Sequence, residues 1–353
     1  MTGIDLDIPA FRRRLLDFYD RTRRDLPWRR DCDPYRVWVS EIMLQQTRAR
    51  AAIPYYERWL ARFPDLHALA DAEPDAVLAA WEGLGYYSRA RNLHRAAGIV
   101  RDRLGGEVPA DVLALRDLPG IGDYTAGAIA SIAFGQCEPA VDGNVRRVIA
   151  RLHVLKHPGA ATLRAIAGEL VPPDRPGDFN QAMMELGATV CTPRAPRCDV
   201  CPVSEHCMAR RLGTQHLHPA PRPAAPVPSF QMGTAAILDP AGRALLVRRA
   251  ERGLLAGMWS FPSAELRARE RPATAARRIA LSLLPGALIS RAHHITDLAH
   301  TFTHRRETYR VYRFQLREGI EELPPGSAWV GTSEIHSYVL PVAQRRIATI
   351  VFG

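Results

Sequence analysis

The chain has 353 residues, a formal net charge of +10 and 47% hydrophobic side chains. That length suggests two or three domains, each able to bury a core, and the basic balance favours a polyanionic partner, nucleic acid first. The opening thirty residues lack an apolar h-region and no apolar run approaches membrane-spanning length, so neither a secretory signal nor a transmembrane segment is expected.

In chain order, Ile8 to about Cys207 reads as helix after helix. Phe11, Leu15, Leu16 and Tyr19 recur at helical spacing behind Pro9. Leu26-Pro27-Trp28-Arg29 breaks that helix, and the next is predicted from Tyr35 to about Thr47. Further helices are expected near 51–62, 74–82, 88–104, 111–115, 124–134, 145–154, 163–170 and 179–190. His216 to Ser229 carries five prolines among small residues, the pattern of a stiff linker. Beyond it the pattern changes. Met232–Leu238 and Ala244–Arg249 flank the turn residues Asp239-Pro240-Ala241-Gly242, and Tyr312, Phe314 and Leu316 alternate with polar neighbours as in a strand. Helices are expected at 275–284 and 342–351, which makes the second part α+β.

Four stretches carry chemistry. Cys191, Cys198, Cys201 and Cys207 are spaced C-x6-C-x2-C-x5-C. Four thiolates this close repel unless a cation shares their charge, so zinc and an iron–sulfur cluster are the candidates. A zinc ribbon would show two C-x2-C pairs, and this run has one. Leu118-Pro119-Gly120-Ile121-Gly122 leads into a helix whose free N–H groups suit a phosphate, although such a turn also simply joins two helices. Asp142 opens the helix Gly143-Asn144-Val145, where an aspartate is most often an N-cap. Glu41 stands in a helix that is apolar nearly all round. Burial there raises a carboxyl pKa and keeps it protonated for general-acid work, unless an arginine pairs with it.

Together these stretches resemble the helix–hairpin–helix DNA glycosylase superfamily that includes endonuclease III. Ser40-Glu41-Ile42-Met43-Leu44-Gln45-Gln46-Thr47 is similar to a signature of the adenine DNA glycosylases. The resemblance implies a six-helix barrel with the helix–hairpin–helix at 29–134 and an iron–sulfur domain at 1–28 and 135–214. A linker at 215–229 and a Nudix-like domain at 230–353 would follow. It implies a [4Fe-4S] cluster on the four cysteines and removal of adenine opposite 8-oxoguanine or guanine in duplex DNA. Glu41 would be the acid, and Asp142 would stabilise a cationic sugar, oriented by Tyr124 and Asn144. Trp28, Arg29, Gln181 and Glu185 would form the base pocket. Gln46 and Tyr86 would enter the base stack, the latter from Gly83-Leu84-Gly85-Tyr86-Tyr87, and Gly120 and Gly122 would meet the backbone. Phe302-Thr303-His304 is similar to the family's 8-oxoguanine reader, usually Phe-Ser-His, with threonine keeping the hydroxyl and adding a methyl. Gly253 to Pro262 resembles a Nudix core. From Arg271 to Thr296, however, there is no Asp or Glu, so no magnesium cage can form and the domain should bind rather than hydrolyse. A monomer in the cytoplasm, at the nucleoid if bacterial, is the expectation. An endonuclease III-like lyase would carry lysine where Tyr124 stands, and Lys156 is the only lysine in the chain. A non-catalytic iron–sulfur protein would need neither Glu41 nor Asp142.

Overall fold

The computed structural model describes residues 6–221, 226–320 and 322–353. Residues 222–225 of the expected linker, and the first five residues of the chain, lie outside them. The chain divides into two compact units, 1–74 with 89–223 and 75–88 with 224–353.

The first unit is helical. Its helices are α1 (Ile8–Thr22), α2 (Pro34–Leu44), α3 (Ala49–Arg62) and α4 (Leu66–Ala70); then, after α5 (Pro74–Ala80) of the 75–88 segment, α6 (Ser88–Arg103), α7 (Val112–Arg116), α8 (Asp123–Phe134), α9 (Gly143–Leu152), α10 (Ala160–Leu170), α11 (Pro176–Thr189) and the short α12 (Met208–Arg211). Aspartates at positions 7, 33, 65, 111 and 142 cap the helices that follow them, each accepting a backbone N–H one turn on. Such a cap is worth roughly 1 kcal/mol. The apolar stripes of α1, α9, α10 and α11 close on one core, with Phe11, Leu15, Ile149, Phe179 and Leu186 fully enclosed. Helix α2 is buried almost throughout and packs on α8. It stops at Leu44, short of the expected Thr47, because the buried Arg89 guanidinium takes the carbonyls of Ile42, Met43 and Gln45 at 2.5–3.0 Å. Helix α4, five residues long, carries too little periodicity to be read from sequence.

The second unit is a mixed sheet between two helices. Its strands are β1 (Ser229–Leu238), β2 (Ala244–Arg248), β3 (Trp259–Ser260), β4 (Ser263–Glu265), β5 (His293–Thr301), β6 (Arg306–Gln315) and β7 (Ser327–Val330), with α13 (Pro272–Leu283) and α14 (Val342–Phe352). The order is β3-β2-β1-β6-β5, with β4 beside β1 and β7 beside β2. Strands β1 and β6 run parallel, from Ser229 opposite Arg306 to Leu238 opposite Gln315. Alternation along β1 sends Ala235 and Ile237 to a core with Ala276 and Ala280 of α13, and Ala236 to a core with Ile347 and Val351 of α14. Gly233 lets α13 approach, since a Cβ there would stand 2.5 Å from the Pro272 carbonyl oxygen. Strands β3, β4, β5 and β7 were not anticipated. Three are four residues or fewer, and β5 (His-His-Ile-Thr-Asp-Leu-Ala-His-Thr) is too polar to alternate.

Candidate active site

Glu41 lies on α2 among Val37, Trp38, Ile42 and Met43 and is only 5% exposed. Its partner is the Tyr124 hydroxyl on α8, which donates to Oε2 at 2.5 Å and also reaches Met184 Sδ at 3.3 Å. Burial pushes the Glu41 carboxyl up to about 7; the Tyr124 hydrogen bond opposes the rise, and the negative charge of Asp142 adds to it. No arginine pairs with Glu41 among the described residues.

Asp142 is the N-cap of α9. Its Oδ1 accepts the Val145 backbone N–H at 2.7 Å, and its Oδ2 accepts the Asn144 side-chain amide at 2.7 Å. Burial raises its pKa while these donors pull it down. Capping and carboxylate orientation are therefore one arrangement: the bonds that start the helix also fix the rotamer. Asn144 is fixed in turn, because Arg147 donates to its Oδ1 at 2.9 Å and to the carbonyls of Gly187 and Cys191 at 2.7 and 2.8 Å. Asp142, Tyr124 and Arg146 line one cavity of ≈ 760 Å³.

Glu185 on α11 is 1% exposed. Arg24 grips it with two bonds of 2.7 and 2.8 Å, and Arg29 adds a third at 2.9 Å. These guanidiniums hold its carboxyl below the usual value in spite of burial. Gln181 sits one turn earlier on α11, and Trp28 packs edge-on against Tyr56 at 5.5 Å between centroids. Asn180, by contrast, is a packing residue: its amide joins the Ala140 N–H, Ser131 Oγ and the Glu138 carbonyl. Sequence reasoning missed Arg24, Arg147 and Arg151. In a chain whose basic residues are nearly all arginine, nothing local marks the structural ones.

The hairpin before α8 is built as its glycines suggest. Gly120 has φ +84°, and a Cβ there would meet the Asn92 Cβ at 2.8 Å. Gly122 caps α8 without a side chain, which leaves the first N–H groups open. Gln46 and Tyr86 stand at φ 58° and 48°, a left-handed backbone that costs side-chain-bearing residues energy and that Val154, Leu255 and Arg269 also adopt.

The four cysteines line one concavity of ≈ 30 Å³ with Arg151 and Arg210. Among the described residues, no group of three or more His, Cys, Asp or Glu converges tightly enough for a single metal ion. Zinc requires four sulfurs about 2.3 Å from one point, whereas a cluster spreads them around an inorganic core. Burial and mutual repulsion raise the Cys198, Cys201 and Cys207 thiols, Cys201 to about 12, so the thiolate form calls for cationic metal. Arg151 donates to Cys191 Sγ at 3.2 Å and to the Thr192 and Pro193 carbonyls, shaping the loop. The residues fit the [4Fe-4S] group.

In the second unit, Phe302, Thr303 and His304 form the turn between β5 and β6, closed by Phe302 N–H to the Arg305 carbonyl at 2.8 Å. Phe302 stacks edge-on with His300 at 4.5 Å. The Tyr86 hydroxyl, on the 75–88 segment of this unit, meets the Thr303 hydroxyl.

A helical unit with a glycine hairpin, a buried acid and a capping aspartate behind it, and a four-cysteine cluster loop define a DNA glycosylase of the helix–hairpin–helix class. Residues 39–173 match the HhH-GPD superfamily base excision DNA repair protein, residues 191–207 the iron–sulfur binding domain of endonuclease III, and residues 233–349 the NUDIX domain. The chain is 39% identical to the Homo sapiens adenine DNA glycosylase over 98% of its own length and 75% of that protein's. It is 46% identical to that of Mycolicibacterium smegmatis over 56% of its own length and 69% of that protein's. Among solved structures, a thermostable thymine-DNA glycosylase superposes with a TM-score of 0.54 at 31% identity, covering 58% of this chain and 97% of that one. The chain belongs to the adenine DNA glycosylase family. Its cofactor is the [4Fe-4S] cluster, and its partner is DNA. Among the described residues no helix is long and apolar enough to cross a membrane.

Proposed function

We propose that this chain excises adenine paired with 8-oxoguanine or guanine, by protonating the base and stabilising the sugar left behind. The buried Glu41 carboxyl, raised to about 7 beside Asp142, carries the reading. A duplex hides the glycosidic bond, so the nucleotide must be flipped out. Gln46 and Tyr86, already in strained backbone, fill and distort the stack. Trp28, Arg29, Gln181 and Glu185 receive the base, with Arg24 holding Glu185 in place. Tyr124 donates to Glu41 Oε2, which leaves the acidic proton on Oε1 for adenine N7 and gives a neutral leaving group. Asp142, held by Val145 N–H and Asn144, offsets the oxocarbenium charge electrostatically or by a transient covalent bond. Glu41, then deprotonated, assists water. The cluster supplies charge and shape to a basic loop carrying Arg194 and Arg197. The iron–sulfur domain at 1–28 and 135–214, the barrel at 29–134 and the Nudix-like domain at 230–353 divide these tasks, in a monomer working where the DNA is.

Phe302, Thr303 and His304 read 8-oxoguanine. Removing the residues beyond 222 should weaken the preference for 8-oxoguanine over guanine while sparing some excision. An unchanged rate ratio excludes the unit from recognition. The deciding assay for the whole reading compares duplexes holding A opposite 8-oxoguanine, A opposite G, and thymine glycol. Cleavage of the last alone would replace it with an endonuclease III-like activity.

The product is an intact abasic strand. A lyase needs an amine for a Schiff base, and a phenol occupies position 124. Lys156 lies past the C-terminal end of α9, whereas Asp142 caps the N-terminal end. Borohydride trapping should give little adduct; efficient trapping that persists in Lys156→Arg with a blocked N-terminus overturns this.

A further inference from the structure

Excision leaves one buried carboxylate of the second unit without a task. Glu307, on β6, is 5% exposed and lies three residues past His304. Arg305 Nε stands 2.9 Å from its Oε1, as an ion pair without hydrogen-bond alignment, and the Tyr309 hydroxyl donates to its Oε2. Arg305, Glu307 and Tyr309 occupy alternate positions at the start of β6 and so share one face. The Arg305 guanidinium also lies over the Phe230 ring of β1, 3.9 Å from its centroid. Phe230 is the partner of Glu307 in the parallel β1–β6 register. Arg305 is thus held between a buried charge and a ring.

Both flanks of the Phe302–His304 turn come back to Glu307. On one flank the Arg305 carbonyl accepts the Phe302 N–H at 2.8 Å, so the residue that Glu307 holds is the one that closes the turn. On the other, His300 of β5 is the cross-strand partner of Glu307, and its ring meets Phe302 edge-on at 4.5 Å. Thr303 and His304 are exposed at the tip, so their placement depends on how the base of the turn is held. Telling apart two purines that differ along one edge needs contacts placed to about 0.5 Å. A buried ion pair is no better for stability than an apolar pair of like volume, and what it adds is a fixed geometry. We propose that Glu307 is a positioning residue for 8-oxoguanine discrimination, fixing the reader turn through Arg305 and His300. This role rests on the reading that the turn meets 8-oxoguanine. Excision opposite guanine does not use the distinguishing contacts and is left alone.

Single-turnover excision by the full, cluster-bearing chain tests this through the ratio of two rates, for A opposite 8-oxoguanine and A opposite G. The rates are taken at a temperature where melting curves show each variant folded. Glu307→Gln keeps the volume and the Tyr309 bond and removes the charge facing Arg305. The ratio should fall by about tenfold, with the rate opposite G unchanged. Arg305→Lys keeps the charge but not the planar stack on Phe230, and its ratio should lie between the two. Phe302→Ala should lower the ratio by itself, and adding Glu307→Gln to it should lower it little further, because both act through one turn. Three results overturn the positioning role and leave the reader turn standing: an unchanged ratio in Glu307→Gln while Phe302→Ala lowers it, an equal loss of both rates, or losses that multiply in the double variant. An unchanged ratio in Phe302→Ala removes the reader turn and the positioning role with it. If Glu307→Gln does not fold, Arg305→Lys carries the test, and an unchanged ratio there overturns the role.

Discussion

Two glutamates in the helical unit are almost equally buried, 5% exposed for Glu41 and 1% for Glu185, and their carboxyls are driven in opposite directions. Glu41 faces a phenol and, nearby, another carboxylate. Glu185 faces two guanidiniums at 2.7–2.9 Å. Burial raises the cost of charge for both, and the partner decides whether that cost is met. One unit thus holds a carboxyl disposed to keep its proton and another disposed to stay ionised, and the proposed division of labour rests on that difference. The pH dependence separates them as well. The Glu41 pKa is raised, so its protonated form contributes stability below the ordinary carboxylate value, and that stability is lost as pH rises through about 7. The Glu185 pKa is lowered, so its contribution is present above the ordinary value and is lost as pH falls through the depressed one.

The largest expected effect comes from breaking the donor. Glu41→Gln keeps the shape and removes the proton, so single-turnover excision should fall by on the order of 10²–10⁴ while duplex binding persists. Near-wild-type excision would remove Glu41 from the acid role. Breaking the anion is next. Glu185→Ala leaves Arg29, only 11% exposed, beside the half-open Arg24 with no counter-charge. The chain should lose about 2 kcal/mol in urea unfolding, below the cost of a fully buried pair because Arg24 is solvated. Loss of excision with unchanged stability would instead make Glu185 purely a base-contacting group.

The smallest effect sharpens the contrast. The acid limb of single-turnover excision should decline as pH rises through about 7. Tyr124→Phe removes the bond that holds the Glu41 pKa down, so that limb should move to higher pH by up to about one unit. A shift to lower pH would show that the phenol acts on Asp142 rather than on Glu41. The cluster stands apart from both glutamates: Cys198→Ala should lower iron content and DNA affinity, and stoichiometric zinc without iron in the parent protein would reject the cluster.

Much of this molecule was legible as a string. Cysteine spacing marks an inorganic site because thiolate repulsion is local. Gly120 and Asp142 announce themselves because a left-handed turn and a helix cap are set by the adjacent backbone, and the long helices follow from a periodicity of a few residues. The reach of those signals is one or two turns, and what lies beyond it was left to the tertiary structure. Sequence leaves Glu41 free to be an arginine-paired structural acid, and only the fold shows that Tyr124, rather than a guanidinium, comes to it from α8. The arginines go to Glu185, from a segment more than 150 residues away. Arg89 ends α2 from another helix. A pKa and a helix end are sums over neighbours in space, so the chain specifies them only once it has folded.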